Sequence, residues 1–168
     1  MTGSAPAAAP VRVLFVCLGN ICRSPLAEVI MRDLVSRAGL AGHIEVASAG
    51  TSDYHAGEPA HRGSIAAAER HGLSLAAHAA RGVTEADLDA WDWLVAMDTD
   101  NRNGLQHLDR HQRRHDRIVL LLDYAHGDGP RDVPDPYYSG GFEAVYALIT
   151  RGCEGLLEAV RSTPPSQR

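Results

Sequence analysis

The chain has 168 residues, 45% of them apolar and 22% charged, with a formal net charge of −5. That is one domain's worth of chain with enough apolar content for a core, and its negative balance argues against nucleic acid or an anionic membrane surface as a partner. No apolar run approaches the roughly 18 residues of a membrane span, and three cysteines, odd and sparse, fit a reducing cytoplasm and a reactive thiol rather than a disulfide scaffold.

Residues 1–10 are rich in Ala and Pro but lack the basic start and apolar core of a secretion signal, so a disordered tail is expected there, with the domain spanning 11–161. Residues 12–16 read as a strand apolar on both faces. The next stretch, Val16-Cys17-Leu18-Gly19-Asn20-Ile21-Cys22-Arg23-Ser24-Pro25, leads into a helix over 26–38 that Pro25 opens and Gly39 ends, with Leu26, Val29, Ile30 and Leu34 as its apolar stripe. A loop between a strand end and a helix N-terminus turns backbone N–H groups inward and makes an anion nest. Cys17 at its start and Arg23 at its end, with five residues between them, supply a nucleophile and a planar two-pronged clamp for one phosphate. Gly19 permits close backbone approach, Asn20 tolerates the left-handed region, and Ser24 carries a hydroxyl within reach of the sulfur. The nest, the guanidinium and the helix N-terminus all favour the thiolate over the thiol. The spacing predicts a cysteine-dependent phosphatase, although Cys17 also reads as a small buried residue beside a capping Arg.

Further along, a second strand is expected over 44–48, then a Gly-punctuated loop carrying Tyr54 and His55, and helices over 64–71 and over 85–90 behind Thr84 as N-cap. Strands over 93–97 and 118–122 flank a helix over 101–110, and a long helix covers about 142–161 before a second tail, 162–168. This alternation implies a single α/β domain: a three-layer sandwich with a four-stranded parallel sheet, helices on both faces and the phosphate-binding loop after the first strand. His107, His111 and His115 are spaced to stack on one helical face, but they lie in or just before the charged run 109–117 and form no metal signature, so no metal is expected. The arginines of that run read as a solvated face, with an anionic partner as the other reading.

A leaving oxygen must be protonated as its bond to phosphorus breaks. Asp123, Asp128, Asp132 and Asp135 all lie in the loop after the fourth strand. Asp135 is favoured because Pro134 and Pro136 restrict the backbone on both sides, with Tyr137 and Tyr138 following as flat walls; the alternative is a Pro-rich turn leading to a helix capped near Ser139. Cys22 is open between a resolving thiol for an oxidised Cys17 and a small buried residue, and Cys153 reads as packing.

The run from Val16 to Pro25, Ser48-Ala49-Gly50-Thr51 and Asp135-Pro136-Tyr137-Tyr138 together resemble the low molecular weight protein tyrosine phosphatases over nearly the whole chain. The resemblance implies Cys17 as nucleophile, Arg23 as phosphate clamp and Asp135 as general acid, with Leu18, Gly19, Asn20, Ile21, Cys22, Ser24, Tyr54, Tyr137 and Tyr138 binding substrate and Ser48 supporting the loop. It also implies a monomeric, cofactor-free cytoplasmic enzyme acting on phosphotyrosine in proteins, with phosphate or vanadate as competing ligands. Tyr54 stands where the family commonly has Trp, and relatives that hydrolyse phosphoarginine carry Thr where this chain has Ile21. The rivals are an arginine phosphatase, and a thiol-based arsenate reductase, which needs a mid-chain Cys relay absent between Cys22 and Cys153. A phosphocarrier has no need of both Arg23 and Asp135, and a silent phosphopeptide-binding module is expected to lose Cys17 or Asp135.

Overall fold

Four parallel strands, β1 (Val11–Cys17), β2 (Ile44–Gly50), β3 (Trp93–Ala96) and β4 (Ile118–Leu120), form one sheet in the order β2-β1-β3-β4. The computed structural model describes residues 9–163, so most of both expected tails lies outside the described residues. Ser162, assigned to a tail from the sequence, is the last residue of the final helix.

Side-chain alternation along β1 divides the core in two. Val11, Val13, Phe15 and Cys17 point into one buried cluster with α1 (Arg23–Arg37), α2 (Arg62–Arg70) and α6 (Phe142–Ser162). Leu14 and Val16 point into a second, with α3 (Glu85–Ala90) and α4 (Thr99–Leu108). A central strand covered on both faces has no solvent side, and Val13, Leu14, Phe15 and Val16 are all fully buried. This is the expected three-layer sandwich. On the first face α6 approaches very closely: a Cβ at Gly155 would lie 1.7 Å from the Tyr124 carbonyl oxygen.

Several boundaries differ from the sequence expectation. The first helix starts at Arg23 rather than after Pro25, because the N–H that proline lacks has no partner in a first helical turn anyway. Its buried face is Leu26, Ala27, Ile30, Met31 and Val35, with Val29 and Leu34 only half-buried at the edge. The fourth strand ends at Leu120 and passes into a 3₁₀ turn, Leu121–Tyr124. Asp98 caps α4, which starts two residues earlier than expected, and accepts from the Asn101 N–H at 2.7 Å. That helix stops at Leu108, where the buried Asp109 carboxylate turns to take the Arg113 and Arg114 N–H groups. His107, His111 and His115 therefore share no helical face.

The strand order reverses direction between β1 and β3, and ligands in open α/β sheets sit off the carboxyl ends of the strands at such a point. Cys17 ends β1 and Asp98 follows β3, so both arrive there.

Candidate active site

The loop after β1 curls back over its own strand. Asn20 takes the left-handed region at φ 58°, as its position in the nest requires. The loop is fastened to the segment that follows β2, whose Thr51 and Ser52 N–H groups donate to the Cys17 and Leu18 carbonyls, both at 2.9 Å. A side chain at Gly50 would collide with that crossing, since its Cβ would stand 2.7 Å from the Leu18 oxygen.

Behind the loop runs a directional hydrogen-bond chain. The Asn20 amide donates to Ser24 Oγ at 2.8 Å and to Ser48 Oγ at 3.0 Å, and its oxygen accepts from the Arg81 N–H at 3.0 Å. The Asn20 carbonyl accepts from His78 Nε2 at 2.7 Å. Because Asn20 donates to Ser24, the Ser24 proton is left to be given to the Cys17 sulfur, 3.0 Å away, or to the Ala49 carbonyl at 3.4 Å. Ser48 in turn donates to Glu28 at 2.7 Å. Asn20 and Ser24, which the resemblance gave both as loop-shaping residues beside Ser48 and among the substrate contacts, are fully buried, and neither side chain lines the cavity; both hold the loop and the thiol from within, as Ser48 does.

Arg23 is almost wholly buried and reaches three acceptors: Asp98 at 2.6 Å, the Val133 carbonyl at 2.9 Å and Asp135 at 3.6 Å. Burial works against its charge, but Cys17, Asp98 and Asp135 outweigh that and raise its pKa further, so the guanidinium stays cationic. Val133 fixes the acid loop from both sides, since its N–H also donates to the Met97 carbonyl at 2.9 Å. Two residues on, Asp135 caps α5 (Pro136–Ser139), its Oδ1 accepting from the Tyr137 N–H at 3.0 Å while Oδ2 faces Arg23. The segment is thus a capped helical turn rather than an open Pro-rich turn, and Gly141, not Ser139, precedes the last helix.

Of the four loop aspartates, Asp135 alone lines the cavity. Asp132 accepts from the Thr99 N–H and hydroxyl at 3.0 and 2.8 Å, and Asp123 faces Arg131. The cavity, about 470 Å³, is lined by Cys17, Leu18, Gly19, Ile21, Cys22 and Arg23 from the loop. Ser52, Tyr54, His55, Asp135, Tyr137 and Tyr138 complete its wall. Cys17 is 2% exposed while Tyr54 and Tyr138 are 85% and 94% exposed, which makes a floor and a rim.

The thiols differ sharply. Burial, and after it the negative charges of Cys17 and Asp135, push Cys22 up to about 12. Burial, and after it the charge of Glu154, raises Cys153, which packs in α6 against Ala27. Asp98, Ser52, His55, His78 and Val133 went unread in the sequence. Of these only Asp98 left a signal, an N-cap residue directly after a strand. Among the described residues no group of three or more His, Cys, Asp or Glu is gathered as for a metal, and no helix is long and apolar enough to cross a membrane.

Residues 12–165 match the family model of the low molecular weight phosphotyrosine protein phosphatases. The chain belongs to that family. It is 46% identical over 151 residues to the low molecular weight protein-tyrosine-phosphatase YfkJ of Bacillus subtilis, covering 90% of this chain and 96% of that protein. The crystal structure of YfkJ superposes with a TM-score of 0.89 at 45% identity, covering 93% and 98% of the two chains. A protein tyrosine phosphatase from Entamoeba histolytica follows at 0.85 and 34% identity, covering 90% of this chain and 97% of its own. A Drosophila arginine phosphatase superposes at 0.82 with 32% identity, covering 90% and 99%. This protein is accordingly a phosphoric monoester hydrolase of the protein-tyrosine-phosphatase type, and phosphoproteins are its substrates.

Proposed function

We propose that this phosphatase hydrolyses phosphotyrosine through a phosphocysteine at Cys17, with Arg23 holding the phosphoryl oxygens and Asp135 moving the proton. The Cys17 thiolate attacks phosphorus in line and the phenolic P–O bond breaks. Asp135 delivers its proton to the departing oxygen, from Oδ2, the oxygen that the Tyr137 N–H does not engage. The same carboxylate then takes a proton from water as the water oxygen displaces Cys17 from phosphorus, returning thiolate, inorganic phosphate and a protonated acid. Loop amides, Arg23 and the α1 N-terminus carry the charge stabilisation that a metal supplies elsewhere. Leu18, Ile21, Tyr54, Tyr137 and Tyr138 take the phenyl ring, and phosphate or vanadate competes for the nest. Cys22, pushed up to about 12, stays a thiol and leaves the attack to Cys17. The site is complete within one chain, which suits a monomer, and three unpaired cysteines suit the cytoplasm.

One observation carries the reading: a cavity floored by Cys17 in which the sole lining carboxylate, Asp135, stands 3.6 Å from Arg23. The arsenate-reductase rival finds no relay, since Cys153 is buried in α6. The test is p-nitrophenyl phosphate hydrolysis in EDTA. Cys17→Ser is expected to abolish turnover while vanadate still binds, and residual activity above a few per cent would refute a covalent route. Asp135→Asn is expected to slow poor leaving groups by about 100-fold or more and good ones far less; equal losses across a leaving-group series would remove Asp135 from the acid role.

A further inference from the structure

We infer that His61 is a positioning residue for the substrate wall, its ring bracing Tyr137 while its backbone and Nδ1 tie that brace to the phosphate loop and to α2. The inference rests on the reading of Tyr137 as a wall of the phosphotyrosine site.

His61 lies outside the cavity lining, yet four contacts converge on it. Its N–H donates to the Ile21 carbonyl of the phosphate loop at 2.8 Å. Its Nδ1 caps α2, accepting from the Gly63 N–H at 2.9 Å. The ring meets Tyr137 edge to face, centroids 5.6 Å apart at 67°, and stacks on Phe142 at 5.1 Å and 22°. A cap needs only a short acceptor, and Ser, Asn or Asp supply one as well or better. What an imidazole adds is a flat ring, and here both its neighbours are aromatic.

Tyr137 needs such a brace. It sits on the four-residue α5, too short to fix a side chain by its own hydrogen bonds, and it is 40% exposed. Of its other ring neighbours, Tyr138 at 4.7 Å is almost wholly exposed, and His55, tied to Glu58, is the more distant at 6.2 Å and meets Tyr137 only at a tilt. His61 offers a fixed anchor, because Phe142 behind it packs on Ile21, Cys22 and Ala80 and lies against Gly63, where a Cβ would meet its ring at 2.4 Å. One residue thereby touches both the wall on the acid side and the phosphate loop that carries the floor.

The test is a double-mutant cycle between His61→Asn and Tyr137→Ala, read as kcat and KM on a phosphotyrosine peptide and as the inhibition constant of inorganic phosphate. Asn keeps the cap and loses the ring; a second variant, His61→Phe, keeps a ring and loses the cap. His61→Asn is expected to raise the peptide KM about 3- to 10-fold, the range an aromatic pair commands, with kcat and phosphate inhibition near wild type. Tyr137→Ala should do the same and the double variant no more than Tyr137→Ala. His61→Phe should hold the wild-type KM at a lower Tm. An unchanged KM in His61→Asn beside a raised one in Tyr137→Ala overturns the inference and spares the wall, as does simple additivity. An unchanged KM in Tyr137→Ala takes down the wall itself, and the inference with it.

Discussion

Arg23 and Asp98 make one unit although 75 residues separate them. Asp98 uses one carboxylate oxygen to cap α4 and the other to hold the guanidinium at 2.6 Å, so α4 and the phosphate clamp share a carboxylate. Replacing it separates the two duties. Asp98→Asn keeps an acceptor for the cap but withdraws the charge that orients Arg23, and kcat/KM is expected to fall by about 10- to 100-fold with phosphate inhibition weakened in parallel. Asp98→Ala should add about 1 kcal/mol of lost stability from the missing cap. Wild-type kcat/KM in Asp98→Asn would mean that the Val133 carbonyl and the loop alone hold the arginine. Cys17, Arg23 and Asp135 were legible in the sequence because each sits in a local pattern, a five-residue spacing or a pair of flanking prolines. Asp98 and Val133 were not, because what they do depends on β3 ending beside β1, and no local pattern encodes that neighbour.

At the scale of elements, α3 is coupled to the phosphate loop through Asp87. Its carboxylate accepts from the Thr84 N–H at 2.8 Å, from both terminal nitrogens of Arg81 at 3.0 and 3.1 Å and from the Trp91 indole at 3.2 Å. The Arg81 N–H in turn holds the Asn20 side chain. Burial works to raise the Asp87 pKa, but Arg81, Thr84 and Trp91 outweigh it and the value is lowered. A group whose folded pKa is lowered contributes stability above its unfolded value, near 4, and loses it as pH falls through the folded value. Asp87→Asn should therefore cost about 1–3 kcal/mol in urea unfolding at neutral pH, with the gap to wild type closing below about pH 4. A gap that does not change with pH would assign the loss to packing. The sequence located α3 to the residue because Thr84 reads as its N-cap, and the structure adds Asp87 as the other half of a capping box. It misplaced the start of α1, where the phosphate loop and the first helical turn are the same residues, and the end of α4, which is set by the buried Asp109 rather than by helix propensity.

For the whole molecule, the sheet sets which phosphoryl groups reach the sulfur. Cys17 ends a central strand under a rim formed by segments after β2 and β4, so a substrate must cross the full depth of the cavity before its phosphorus meets the floor. On the proposed reading a phosphoserine side chain is too short for that crossing, while a phenyl ring would span it between Leu18, Tyr54 and Tyr137 of the lining. Phosphoarginine is long enough, and the likeness to a Drosophila arginine phosphatase makes it the serious competitor. Its guanidino N–H groups need acceptors, however, and the Ile21 side chain on the phosphate loop offers none, so pairing them would fall to Asp135, Ser52 and the tyrosine hydroxyls elsewhere in the lining; any donor left unpaired there costs affinity. The kcat/KM values on three peptides of one sequence, differing only in the phosphorylated residue, should rank phosphotyrosine first by about 100-fold or more over both others. A preference for phosphoarginine would reassign the wall while leaving the chemistry at Cys17 intact, and comparable turnover of phosphoserine would mean that the rim opens far enough to let a short side chain down to the floor.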